Sequence, residues 1–151
     1  VAGGKDGWFT NEWADSLNYT NVSHDTDTSH TPVTFEQVLT WDPQVLLVTG
    51  KGMSNMTANS VLTNSVQGVD FSTLSSVKSG RVYSTGLGMW NWFTPNPDAP
   101  IVANWIGASL YPEQFSDVDL VSMTKDYYQK MYNFTLTDEQ ARTIINPDAA
   151  S

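Results

Sequence analysis

The chain has 151 residues, of which 40% are apolar and 12% aromatic, enough to fill the core of one domain. Sixteen Asp and Glu against seven Lys and Arg give a net charge of −9, too little positive charge to grip a phosphate backbone or an anionic membrane, so nucleic acid is excluded as a partner. The lack of cysteine excludes disulfides, a thiolate nucleophile and a Cys-ligated zinc.

Val1 to Gly7 reads as the end of a strand running into a Gly-rich turn, and a short helix follows from about Thr10 to Leu17. No stretch has the length and apolarity of a membrane span, and no leader precedes Val1, so a removed leader or an excised piece is expected. Asn18 to Pro32 is polar, with almost nothing to bury, and is expected to be surface loop. Asn-x-Ser/Thr triplets start at Asn18, Asn21, Asn55 and Asn133; in a chain this rich in Asn and Thr they are read as chance rather than as glycosylation sites.

Thr34-Phe35-Glu36-Gln37 has the pattern of a capping box and starts a short helix that Asp42-Pro43 ends. Val45 to Val48 is a continuous apolar run that closes on Gly50, as expected of a strand covered on both faces within a parallel sheet. A weakly patterned helix is expected over roughly Ser54 to Ser65, then a strand over Arg81 to Thr85 that stops at Gly86. Asn96-Pro97 supplies a cap and a first-turn proline for a helix over Ala99 to Leu110, stopped by Pro112. A further helix runs from Asp117 to about Tyr132, and Thr137 to Gln140 repeats the capping box before a last short helix ending near Asn146-Pro147.

Alternating strands and helices predict an α/β fold: a three-layer lobe with a mostly parallel central sheet, helices on both faces and a helical C-terminal third. In such sheets ligands sit at the carboxyl ends of the strands. That rule places three loops on one edge: Gly4 to Phe9, Thr49 to Ser54 and Gly86 to Thr94. The third sets Met89, Trp90, Trp92 and Phe93 close together, where a monomer gains little by exposing them, so contact with a ligand or partner is preferred over ordinary loop packing. Trp8 and Phe9 offer a similar apolar surface on the first loop, Met53 on the second is counted with Trp8 among the candidate ligand contacts, and Lys5 and Lys51 are cations able to meet an anionic group, although a solvated surface charge is the plainer reading of each Lys.

Gly50-Lys51-Gly52 fits neither nucleotide-binding Gly-rich pattern. His24-Asp25-Thr26-Asp27-Thr28-Ser29-His30 carries two imidazoles and two carboxylates, chemically adequate for zinc or manganese, but a solvated loop is preferred because no rigid element holds them. No base is visibly held against a nucleophile, so no catalytic residue and no enzyme activity are assigned.

The segment Thr34-Phe35-Glu36-Gln37-Val38-Leu39-Thr40-Trp41-Asp42-Pro43-Gln44-Val45-Leu46-Leu47-Val48 resembles a signature of the solute-binding proteins that serve ABC importers of iron-siderophores, haem and cobalamin. Leu74 to Tyr83, Leu110 to Phe115, Tyr127-Tyr128 and Leu136 to Gln140 resemble later segments of the same family, in the same order. Asn18-Tyr19-Thr20 departs from that family's pattern, and Asp25 to His30 has no counterpart in it.

The resemblance implies that residues 1–151 form the C-terminal lobe of a two-lobed protein whose N-terminal lobe lies outside this chain. An iron-siderophore, haem or corrinoid would then sit in the cleft between the lobes. It further implies a periplasmic or cell-surface location, a membrane association only through a lipid anchor or the permease, and no cofactor. Glu36 matches the residue that such a lobe presents to permease arginines, a pairing for which a carboxylate is chemically suited. Two other readings stay open: a metal-dependent enzyme using the His24–His30 loop, and a protein-interaction module using the Trp-rich loop.

Overall fold

The computed structural model describes residues 8–26, 32–49, 56–86, 88–90, 92 and 96–150. Two parallel three-residue strands, β1 (Leu46–Val48) and β2 (Val82–Ser84), pair with Leu46 opposite Val82, Leu47 opposite Tyr83 and Val48 opposite Ser84. The helices are α1 (Trp8–Leu17), α2 (Phe35–Trp41), α3 (Ala58–Leu62), α4 (Ser75–Lys78), α5 (Ala99–Leu110), α6 (Leu120–Tyr132) and α7 (Asp138–Ile145), followed by a 3-10 turn at Pro147–Ala150.

Strand side chains alternate between two cores, which is what makes the lobe three-layered. Leu46, Val48 and Val82 face a core with Ala58, Val61, Phe71 and Leu74, packed by α3 and α4 and, through Phe35 and Val38, by α2. Leu47 and Tyr83 pack against the opposite core, made of Trp92, Ile101, Val102, Trp105, Ile106, Tyr128, Leu136 and Ala141. The unbroken apolar run through Val48 is thus explained by helices on both sides of the sheet.

α5 occupies the predicted span, and its Ile101, Val102, Trp105 and Ile106 are buried at helical spacing. Its cap is not the expected one. Asp98 is the N-cap residue and makes no side-chain bond to the helix, while the Asn96 side-chain oxygen accepts the Asp98 N–H at 2.8 Å. α6 starts at Leu120 rather than Asp117, because the Asp119 carboxylate accepts the Val121 and Ser122 N–H groups.

The capping box at Thr137 is complete. At Thr34 only half of it forms: the hydroxyl accepts the Gln37 N–H, and no reciprocal bond closes the box. α3 is shorter than expected and starts on a box of its own, formed by Thr57 and Ser60.

The sequence reading missed α4, whose own N-cap, Leu74, makes no side-chain cap bond. A residue distant in sequence caps it instead. Asp42 ends α2 in the left-handed region (φ 38°), and its carboxylate accepts the Ser75 N–H at 2.8 Å and the Ser75 hydroxyl at 2.6 Å. Those two bonds, the hydroxyl first, hold the Asp42 carboxyl below its ordinary pKa. Arg81 in turn donates to the Leu110 carbonyl at 2.7 Å, tying the entry of β2 to the C-terminus of α5, where a cation complements the helix dipole.

The stretch after Asn18 is not wholly solvated. Ser23 is buried, and its hydroxyl donates to the Asn21 side chain at 2.8 Å. Tyr19 packs against the helical core, where burial, and then the neighbouring Tyr111, push its hydroxyl up to about 12.

Candidate functional site

Both strands point their carboxyl ends at the same edge, since they run parallel in register. That edge begins after Val48 and after Ser84. Ser84 organises part of it: its hydroxyl oxygen accepts the Ala58 N–H at 2.6 Å and the hydroxyl donates to Asp148 at 2.8 Å. The same Asp148 oxygen accepts the Asn59 N–H at 3.1 Å, so the start of α3 is held against the end of β2 by a C-terminal carboxylate.

Beyond β2, Met89 is 53% exposed and Trp90 65% exposed, the latter the more exposed of the two although its apolar side chain is the larger. Trp92 is 0% exposed. The expectation that Trp92 lines the ligand surface is therefore corrected: its ring packs edge-on against Trp105 at 5.8 Å within the lobe's own core, and its indole N–H donates to Asp98. Two residues along an irregular loop are enough to turn one indole out and the other in.

Asp98 is the buried polar residue beside this loop that the sequence reading missed. Its carboxylate is fully buried yet satisfied by four donors: on Oδ2 the Met89 N–H at 2.8 Å, the Tyr128 hydroxyl at 3.1 Å and the Trp92 indole at 3.2 Å, and on Oδ1 the Tyr132 hydroxyl at 3.1 Å. A buried carboxylate persists only with such a full set of partners. The available signal was Tyr128 and Tyr132, one helical turn apart on α6 and so on one face. Next to them, the Tyr127 hydroxyl donates to the Pro97 carbonyl.

Burial raises the pKa of both Tyr128 and Tyr132 above the ordinary value near 10, and the Asp98 charge raises it further. A hydroxyl that keeps its proton more tightly when folded stabilises the fold fully below the unfolded pKa. That contribution declines as pH rises above about 10 towards the folded values. Urea melts between about pH 8 and pH 11 should show stability falling with pH. The fall should be shallower in the Tyr128→Phe/Tyr132→Phe double variant, and equal slopes would refute the assignment.

Glu36 lies in the first turn of α2, exposed, with its carboxyl held below the ordinary range by its own N–H first and then by the Thr34 hydroxyl. It is ionised and open to a cationic partner. Lys5, Lys51 and Met53 lie outside the described residues; Trp8 opens α1, with its side chain likewise outside them.

In the His24 loop, the ring nitrogens face the Asn21 carbonyl at 2.9 Å and the Asp25 carboxylate at 3.0 Å. Asp27 and His30 lie outside the described residues, and among those described no group of three or more His, Asp or Glu is placed to hold a metal.

No protein-family model matches the chain. It is 30% identical over 132 residues to the molybdate-binding protein MolA of Haemophilus influenzae, covering 87% of this chain and 33% of MolA. A periplasmic solute-binding protein of Veillonella parvula superposes with a TM-score of 0.80 at 27% identity, covering 90% of this chain and 41% of that one. This chain has the fold of a periplasmic solute-binding-protein lobe.

Molybdate-bound MolA, the cognate binding protein of an ABC transporter, superposes with a TM-score of 0.67 at 28% identity over 89% of this chain and 40% of that one. The chain thus spans about a third of MolA and about two fifths of these solved binding proteins, the share expected of one lobe. Its relatives are periplasmic, and its place is extracytoplasmic. Among the described residues no helix is long and apolar enough to cross a membrane.

Proposed function

We propose that this chain is the C-terminal lobe of a non-enzymatic solute-binding protein that captures a metal-bearing small molecule against a second lobe and delivers it to an ABC permease. The exposed Met89–Trp90 pair beside the carboxyl ends of the sheet carries this reading, because a bulky chelate with an apolar face gains most from an open indole and thioether. An iron-siderophore, haem or corrinoid has that character. Lys5, Trp8, Lys51 and Met53 are kept as proposed ligand contacts on their sequence positions.

Likeness to MolA favours a second reading, a metal oxyanion. Against it, an oxyanion needs N–H donors and cations, and the Met89 N–H is already donated to Asp98.

The protein with both lobes, titrated with ferrioxamine, haemin, cyanocobalamin and sodium molybdate while tryptophan fluorescence is followed, should bind one of the three chelates at about micromolar Kd or tighter. Binding of molybdate alone would replace the chelate with the oxyanion. Glu36 is proposed as the permease contact, and a lipid anchor on the full protein as its tether. Glu36→Ala should leave ligand affinity and melting temperature unchanged while lowering uptake by cells; lost affinity with normal uptake would place Glu36 on the wrong surface.

A further inference from the structure

The loop that carries Trp90 is pinned on both sides of that residue to one buried carboxylate. The Met89 N–H on one side and the Trp92 indole on the other both donate to Asp98 Oδ2. Gly88 sits so close beneath them that a Cβ there would lie 1.9 Å from Asp98 Oδ2 and 2.6 Å from the Tyr128 hydroxyl, so this position has no room for any side chain. Tyr128 and Tyr132 hold the carboxylate from α6, and Asp98 itself begins α5, so two long helices fix where it stands.

We propose that Asp98 is a positioning residue for ligand recognition, holding residues 88–90 and 92 in the one shape that turns Trp92 into the core and leaves Met89 and Trp90 outward. It touches no ligand and acts through the loop. The raised pKa of both tyrosines keeps their hydroxyls protonated, and so able to donate to Asp98, through the physiological range. The ligand side of this inference rests on the function proposed above; the loop side does not.

Pre-forming the surface lowers what ordering it costs at the moment of binding. Asp98→Ala removes the acceptor, Asp98→Asn keeps one oxygen in nearly the same shape, and Gly88→Ala wedges the loop off the carboxylate and presses only on the polar tips of Tyr128 and Trp92, leaving Asp98 itself in place. Hydrogen exchange should show the Met89 amide opening about ten- to a hundredfold faster in Asp98→Ala and in Gly88→Ala, with the Val82 and Ile106 amides unchanged. Asp98→Asn should restore most of the protection.

In the two-lobed protein, affinity for whichever of haemin, cyanocobalamin or ferrioxamine binds should fall in the same order as Met89 protection. If Asp98→Ala does not fold, Gly88→Ala carries the test. Unchanged Met89 exchange, core amides loosening equally with Met89, or a loosened loop with full affinity would each overturn the role given to Asp98. A wild-type protein that binds none of these ligands overturns the proposed function instead, and the exchange data then decide the role of Asp98 on their own.

Discussion

Trp92→Ala should cost about 3–5 kcal/mol, the usual range for emptying a fully buried aromatic position. The site cannot easily collapse: Trp92 packs against Trp105, a residue itself pinned by its indole bond to the Ile145 carbonyl at 2.9 Å, and so links the β2 loop to α5 and α7. The substitution also leaves Asp98 without one of its four donors, and a buried carboxylate tolerates such a loss poorly. Against a total stability of about 5–15 kcal/mol this is a large share, and urea melts should show a markedly lower midpoint or no folded baseline. A loss under about 1 kcal/mol would mean that the ring is not where the core needs it.

Trp90→Ala should do the reverse. With Trp90 65% exposed, removing its ring should change stability by no more than about 0.5 kcal/mol. If the ring is the platform on which the ligand rests, affinity in the two-lobed protein should fall at least about tenfold, or about 1.4 kcal/mol, a modest share of what an aromatic face contributes when covered. The pair of variants separates two indoles only two residues apart: one is read by denaturation, the other by titration. Unchanged affinity in Trp90→Ala would remove the central element of the proposed surface.

The legible parts of the sequence were those governed by local chemistry. The 99–110 helix followed from apolar spacing, the Thr137 box from two side chains three residues apart, and the buried strand from its unbroken apolar run. The family signature at Thr34 to Val48 pointed to a solute-binding lobe, and the relatives share that fold. Each of these signals is complete within a few residues, so no tertiary information was needed to read it.

What the tertiary structure alone decided were the groups whose partners are distant in sequence. Asp42 looked like the end of one helix and also caps another 33 residues later, which is why α4 escaped notice. Asp98 is passed over in the sequence, where Asn96-Pro97 reads as the helix start; its use depends on tyrosines 30 and 34 residues away on α6. Trp90 and Trp92 are chemically identical in the sequence, and only the direction of an irregular loop, fixed by that buried carboxylate, makes one a surface and the other a core. Local propensity and periodicity settle which segments become helices and strands. Which side chain a loop buries depends on the polar groups waiting in the fold to receive it, and those are assembled only when α5 and α6 meet.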